Sequence, residues 1–411
     1  MTERLVNFDR LLAALDAGQL DAVVATSPEN VLYLTNYECT THWINKGSHV
    51  FALVTPASDR LATLIAPALE LEAIPASGVW VDDIAVVGGF NRAYGSGPLD
   101  ELSTAVQDIA DRSRRYPSAF TALQGELAAR ALLGGRIGID ESGLYGPDWE
   151  RAQDMLPEAT IVGAAELLWR VRSVKTPAEV ERLRISVTIT EAAILETLRC
   201  IPDGLTDREL SRHYEVQVAT KGGTSSFSFI GTGERSAYPH IPPTDEHYRA
   251  GDPIRFDLGC TYRRYNSDLA RTYYLTDPPR SVMNLWNVTA HGVAEAIELL
   301  KPGVDVSDVY KAAMQPGISM GLEHFARFHC GHGIGLSIYD PPLVTEQAGN
   351  DTVYLMPDGD RSLEAGMVMN VEVGYYVQGL GGFQMEDTVL ITDDGYEVLS
   401  SLPRTPVPSL C

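Results

Sequence analysis

Asp257, Asp268, Glu372 and Glu386 are acids set in apolar, strand-like stretches, where an ionised carboxylate is costly to desolvate unless positive charge meets it. Asp257 stands between Phe256 and Leu258, and Glu372 between Val371 and Val373. The four fall into an internal repeat. AGDPIRFDLGCTY, from Ala250 to Tyr262, matches AGMVMNVEVGYY, from Ala365 to Tyr376, with each acid seven positions after the alanine and two before a glycine. Each copy is followed by a second acid and a similar strand, in SDLARTYYLTD ending at Asp277 and MEDTVLITD ending at Asp393. A strand, a loop and a paired strand in each copy can bring all four carboxylates together across a sheet. The nearest basic residues, Arg255, Arg263, Arg264 and Arg271, all belong to the first copy, whereas Met367 to Ile391 contains no Lys or Arg. An ion network built from them leaves the second copy unbalanced, so divalent cations are expected instead. His332, in FHCGHGIGL with Gly331, Gly333 and Gly335 around it, adds a nitrogen donor on a backbone that allows close approach. Carboxylates plus one imidazole suit Mn, Co, Fe or Zn better than Ca or Mg, and there are enough carboxylates to bridge two ions.

The elements that position these residues divide the chain in two. In the first part Phe8 to Leu15 reads as an amphipathic helix, while Ala22 to Ala25, Val50 to Val54 and Leu61 to Ile65 read as strands, an alternation that points to an α/β domain. Gly88 to Gly97 is rich in Gly, Asn and Ser but lacks the Lys-Ser/Thr ending and the following helix of a phosphate loop, so a surface loop is expected. In ELLWRVRSVKTPAEVERLR, from Glu166 to Arg184, Thr176 can cap a new helix, with Pro177 at its first position and Glu179 completing a capping box. The boundary is placed just before it, between residues 165 and 175, giving domains 1–170 and 171–411.

The bulk numbers exclude several classes. With 411 residues, 45% of them apolar, the chain is long for one domain. Lys and Arg total 32 against 55 Asp and Glu, a formal charge of −23, which repels nucleic acid and acidic membrane surfaces. No apolar run reaches the length of a bilayer span, and the start from Met1 to Arg10 is polar, so a cytoplasmic protein is expected. Five cysteines (Cys39, Cys200, Cys260, Cys330 and Cys411) stand without CxxC spacing. They read as buried, reduced thiols rather than ligands or nucleophiles, Cys260 and Cys330 included.

RFDLG, NSDLART, GHGIGL, NVEVG and QMEDT resemble the five ligand motifs of the pita-bread metallopeptidases, the family of aminopeptidase P, prolidase and creatinase. PENVLYLTNY in the first part is similar to that family's amino-terminal domain. The resemblance implies an α+β protein with an N-terminal creatinase-like α/β domain and a C-terminal, duplicated pita-bread catalytic domain. It implies two divalent ions, manganese first, with Asp257 on one, His332 and Glu372 on the other, and Asp268 and Glu386 bridging. It further implies hydrolysis of a C–N bond in a small Xaa-Pro peptide, Glu372 as proton shuttle, His240 in AYPHIPP as a substrate-facing histidine, and a homodimer. In the dimer the first domain would cover the partner's site, with the Trp43-bearing segment from Glu38 to His49 as candidate wall.

Three positions depart from the proline-cleaving members. Seven residues after the metal histidine stands Tyr339 in place of histidine; four residues before it stands Phe328, with His329 one position off; two residues before the last glutamate stands Gln384 in place of arginine. Tyr339 can still donate a hydrogen bond, but an amide does not grip a carboxylate as a guanidinium does. The alternatives carried forward are a hydrolase of a small non-peptide amide or amidine, as in relatives acting on creatine or ectoine, and, more remotely, a lyase branch acting on a sulfonium propionate or a catalytically silent binding module.

Overall fold

The computed structural model describes residues 4–45, 47–56, 60–199, 201, 204–322, 325–346 and 361–408. The chain forms two compact units, Met1–Arg172 and Ser173–Cys411.

In the first unit a mixed sheet of seven strands runs in the order Arg114–Tyr116, Asp83–Val87, Ala62–Pro67, Phe51–Val54, Ala22–Ala25, Arg136–Ile139, Thr160–Gly163. Short apolar runs such as AVVA and FALV are buried along their whole length, as expected of central strands. The helix expected from Phe8 runs to Ala17, and Gly88 to Gly97 carries no helix or strand. In the candidate wall segment His42 is buried and bonded to the Thr26 carbonyl oxygen (2.9 Å), and His49 pairs with Asp148 (2.8 Å); Lys46 lies outside the described residues. Both histidines are thus engaged inside the first unit.

The second unit begins with the expected helix, Pro177–Arg199. The Thr176 amide donates to Glu179 Oε2 (2.9 Å) and the Glu179 amide to Thr176 Oγ1 (3.4 Å), the reciprocal pair of a capping box. Two halves follow the same plan. Helices Pro177–Arg199 and Asp207–Thr220 precede strands Thr224–Thr232, Ile254–Tyr262 and Leu269–Tyr273; helices Arg280–Glu298 and Val306–Ser319 precede strands Gly331–Gly333, Asp340–Leu343, Val368–Val377 and Gly381–Ile391. All these strands join one antiparallel sheet, and the halves meet where Leu269–Tyr273 pairs with Gly381–Ile391. Alternation along the strands decides which side chains meet the helices. Ile254, Phe256 and Leu258 pack against the first helix pair, and Val371, Val373, Met385 and Val389 against the second. The intervening residues, Arg255, Asp257 and Gly259 in one half and Glu372, Gly374, Gln384 and Glu386 in the other, share the opposite face.

Candidate metal centre

The repeat places two glutamates directly opposite one another, Glu372 against Glu386 across the pair Val368–Val377 and Gly381–Ile391. Like charges at a cross-strand pair destabilise a sheet, and both carboxylates are buried. Asp257 and Asp268 join them as lining of one cavity of about 390 Å³, Asp257 from mid-strand and Asp268 from the residue just before Leu269–Tyr273. His332 enters on Gly331–Gly333, its Nε2 lying 3.6 Å from Asp268 Oδ2. Its Nδ1 faces the Gly333 carbonyl oxygen at 3.0 Å, a contact that puts the proton on Nδ1 and directs the Nε2 lone pair at the acids. Tyr339 stacks on the imidazole, with ring centroids 3.9 Å apart and planes at 29°.

Asp268, His332 and Glu386 bring one ligand atom each within 4.8 Å of one another. Asp268 Oδ1 and His332 Nε2 are buried with no hydrogen-bond partner. Orphaned acceptors in a closed polar site are costly, and a divalent cation is the group that satisfies them together. Asn370 holds the arrangement from beneath, donating to Glu386 Oε1 (3.1 Å) and to the Asp268 carbonyl oxygen (3.0 Å), while its own oxygen accepts from Thr388 (2.9 Å).

The electrostatics fit. Burial, followed by the charges of Asp268, Glu372 and Asp257, pushes Glu386 well above the ordinary carboxylate range. Burial raises Asp268 as well, and lifts Asp257 to about 7 against the pull of Arg255. Burial works to lower the His332 imidazole, but Asp268 more than offsets it. Carboxylates crowded until they resist ionisation, beside an imidazole pulled upward, make a cation site.

Glu372 behaves differently, and here the charge balance expected from sequence needs correction. Its second copy lacks Lys and Arg, yet Arg327 reaches it from another segment, with Nη2 donating to Glu372 Oε2 at 2.9 Å. His329 Nδ1 stands 3.2 Å from Oε1, and Gln384 Nε2 donates to Oε2 at 3.4 Å. Burial tends to raise Glu372, but the Arg327 guanidinium leads the groups that hold it below its usual value. Burial also pushes His329 down to about 4, so the ring is neutral near pH 7. The histidine expected to be displaced by the one-residue offset is therefore in the site, and Phe328 is the residue that turns outward, 60% exposed.

The first copy is balanced by Arg255, fully buried, whose Nη1 donates to Asp257 Oδ2 (3.2 Å) and to Gln384 Oε1 (2.9 Å). Arg271 serves elsewhere, paired with Asp387 on the helix side of the sheet. The two repeat glycines make room. A methyl at Gly259 would meet the Phe227 ring at 2.3 Å, and one at Gly374 would meet Arg327 Nη1 and the Tyr376 hydroxyl at 2.5 Å each. Phe229, which pairs with Asp257 across the strands, and His240, 4.9 Å from it, complete an aromatic wall with Phe227. All eight residues singled out from sequence thus lie in or beside one cavity; Arg327 was missed because no motif carries it. Cys260 and Cys330 are buried, and burial raises both thiols, Cys330 to about 12, so neither is a thiolate. Cys39 is a buried thiol too; Cys200 and Cys411 lie outside the described residues.

Among known proteins, the metallopeptidase family M24 model matches residues 181–393, and the creatinase/prolidase N-terminal domain model matches residues 8–174. Uncharacterized peptidases of Staphylococcus aureus strains MSSA476 and Mu50 are 26% identical over 402 residues, covering 96% of this chain and 99% of theirs. Among solved structures, the prolidase from Pyrococcus horikoshii superposes with a TM-score of 0.75 at 22% identity, covering 97% of this chain and 99% of that one. The X-Pro aminopeptidase from Thermotoga maritima gives 0.74 at 21% identity over 96% and 99%, and the dipeptidase PepE from Mycobacterium ulcerans 0.75 at 23% over 98% and 99%. These likenesses carry the α+β, pita-bread fold, and the family match carries the chemistry of a metallohydrolase that depends on divalent ions. With its duplicated sheet, its buried acid and imidazole cluster and a family match over residues 181–393, more than half of the chain, the chain belongs to metallopeptidase family M24.

Proposed function

We propose that the protein hydrolyses the C–N bond of small Xaa-Pro-type peptides at a two-ion centre in residues 171–411, with 1–170 as a separate N-terminal domain. The observation that carries this is the pair of orphaned ligand atoms, Asp268 Oδ1 and His332 Nε2, buried beside Glu386. Asp257 would hold one ion, His332 and Glu372 the other, and Asp268 and Glu386 would be shared, with manganese as the proposed metal and Co, Fe or Zn as alternatives. Bound divalent ions supply Lewis-acid polarisation of a carbonyl and activation of water near neutral pH.

The chain's own residues supply the rest. Glu372, held ionised and oriented by Arg327, His329 and Gln384, takes a proton from the attacking water and returns it to the leaving nitrogen. Tyr339, fixed against His332, presents a phenol that donates to the oxygen where charge develops. His240 and the Phe227 and Phe229 rings face the substrate's apolar part. The similar structures, among them a prolidase, an X-Pro aminopeptidase and an Xaa-Pro dipeptidase, support this substrate class. We also propose a cytoplasmic homodimer that binds neither nucleic acid nor membrane; no helix among the described residues is long and apolar enough to cross a bilayer.

Gln384 favours a second reading, hydrolysis of a small non-peptide amide or amidine, because its amide is spent between Arg255 and Glu372. The deciding experiment is turnover by protein loaded with Mn, Co, Fe or Zn on Xaa-Pro dipeptides and tripeptides beside creatine, ectoine and N-acyl amino acids. Cleavage of proline peptides supports the first reading; turnover of only the small amides replaces it with the second.

A further inference from the structure

We propose that Asn266 is a positioning residue for the metal centre, a clamp that holds the loop between His332 and Tyr339 against the hairpin that delivers Asp268. The centre is assembled from two halves, and the pair formed by Asp268 and His332 spans them. Asp268 belongs to the first half. Gly331–Gly333, which carries His332, takes its sheet partners from the second half, Asp340–Leu343 on one side and Val368–Val377 on the other. The 3.6 Å approach of His332 Nε2 to Asp268 Oδ2 therefore depends on what ties that loop to the hairpin.

Asn266 makes that tie. It stands two residues before Asp268, buried in the short strand Tyr265–Asn266. The turn ahead of it fixes its place: Arg263 and Arg264 both adopt positive φ (47° and 71°) and return the chain so that Asn266 pairs with Thr261, the geometry of a two-residue hairpin. From there its backbone N–H donates to the Gly335 carbonyl oxygen (2.9 Å), and Nδ2 donates to the Gly335 and Leu336 carbonyl oxygens (3.0 and 2.9 Å). Carbonyl oxygens can be met only by the nitrogen of the side chain, so the amide has one orientation. The Asn266 carbonyl oxygen accepts from Ser186 on the helix Pro177–Arg199 (3.2 Å). Ser267 is anchored in turn, its amide to the Cys260 carbonyl oxygen (2.8 Å) and its hydroxyl to Thr190 (2.7 Å). Asp268 thus leaves a hairpin fixed to the helix beneath it, and three hydrogen bonds bind Gly335 and Leu336 to that same hairpin. A shift of the loop would carry two rings with it, because Tyr339 stacks on the His332 imidazole. Asn370 joins Asp268 to Glu386; Asn266 joins it to His332.

The inference rests on the two-ion reading of the site, and it is tested on metal alone, without substrate. Full-length wild type, N266A and N266S are stripped with a chelator and titrated with Co(II) in competition with a chelating dye. The visible spectrum of the bound ion and the unfolding temperature of the metal-free protein are recorded alongside. Loss of a group that orients a metal ligand typically weakens metal binding by about 10- to 100-fold. The Co(II) dissociation constant should rise by that factor in N266A, with a changed visible spectrum because the ligand geometry changes. N266S, which keeps one donor, should fall between. Wild-type affinity and spectrum in N266A overturn the inference even where its metal-free unfolding temperature drops, since that combination marks a residue that only supports the fold. If N266A does not fold, N266S decides by the same two readings: weakened binding with an altered spectrum supports the clamp, and wild-type values overturn it. A wild type that takes up no Co(II) refutes the two-ion reading itself, and the inference falls with it, whereas failure in the variants alone leaves that reading standing.

Discussion

Asp268 and His332 are the residues at which geometry leaves least choice, because each presents a buried ligand atom that nothing in the protein satisfies. Asp268→Ala should therefore strip metal rather than merely slow turnover. Elemental analysis of the purified variant should find well under the wild-type content, with activity at background; full metal with full activity would remove Asp268 from the centre. Tyr339 separates two roles in one side chain. Tyr339→Phe keeps the ring stacked at 3.9 Å on His332 and deletes the hydroxyl, so metal content should hold while kcat/KM drops roughly 10- to 150-fold, the size of one hydrogen bond to a charged group at about 1.5–3 kcal/mol. An unchanged kcat/KM would reduce the residue to a support for the imidazole. The four acids were legible in the sequence from the repeat that carries them, Asp257 and Glu372 also from their apolar neighbours, and His332 from the glycines around it. Arg327 was not, since an arginine in a loop is ordinary until the fold carries it 45 positions along the chain to Glu372. His329 was half legible: the residue type was noticed, but a one-residue offset could be resolved only by backbone that turns Phe328 out and His329 in.

Strands and helices were read best where a local signal was strong. The capping box at Thr176 and the run AVVA mark the ends of Pro177–Arg199 and Ala22–Ala25 without help from tertiary structure. What no local pattern conveys is the order of strands, and with it which charges become neighbours. Asp83 and Glu126 in the first unit are an example. They meet Arg114 at 2.7 and 2.6 Å and Arg130 at 3.1 and 2.9 Å, across the strand Asp83–Val87 and the helix Ala119–Ala128. Burial tends to raise both acids, but hydrogen bonds to Thr63 and the arginines hold Asp83 below its ordinary value, and those to Arg114, Arg130 and Tyr116 do the same for Glu126. A depressed folded value means stabilisation that is complete above the unfolded pKa of about 4 and lost as pH falls through the folded one. Amide exchange in Ala62–Pro67 and Asp83–Val87 should thus accelerate as pH is lowered below about 4, beyond the intrinsic pH effect on exchange. Glu126→Gln should flatten that dependence while lowering protection at pH 7. An identical pH profile in the variant would assign acid sensitivity to other groups.

At the scale of the whole molecule, 55 acids against 32 Lys and Arg coexist with a site that concentrates still more negative charge. Metal loading should relieve that strain locally. An ion at 100 times its dissociation constant adds about 2.7 kcal/mol to the stability of the state that binds it, so manganese should slow exchange in Val368–Val377 and Gly381–Ile391, and Asp268→Ala should abolish the effect. Chain length suggests two domains, but the pairing of the halves through Leu269–Tyr273 and Gly381–Ile391 depends on contacts between residues more than 100 positions apart, which periodicity does not report. That seam has a consequence for how the protein is made. The proposed ligand set runs from Asp257 to Glu386, so a chain still emerging from the ribosome has the first two acids long before the last one exists. Metal capture is then a finishing step of biosynthesis, possible only once the second half has been synthesised and zipped against the first, and a polypeptide truncated before Glu386 would leave its early carboxylates as an unfilled and repelling cluster.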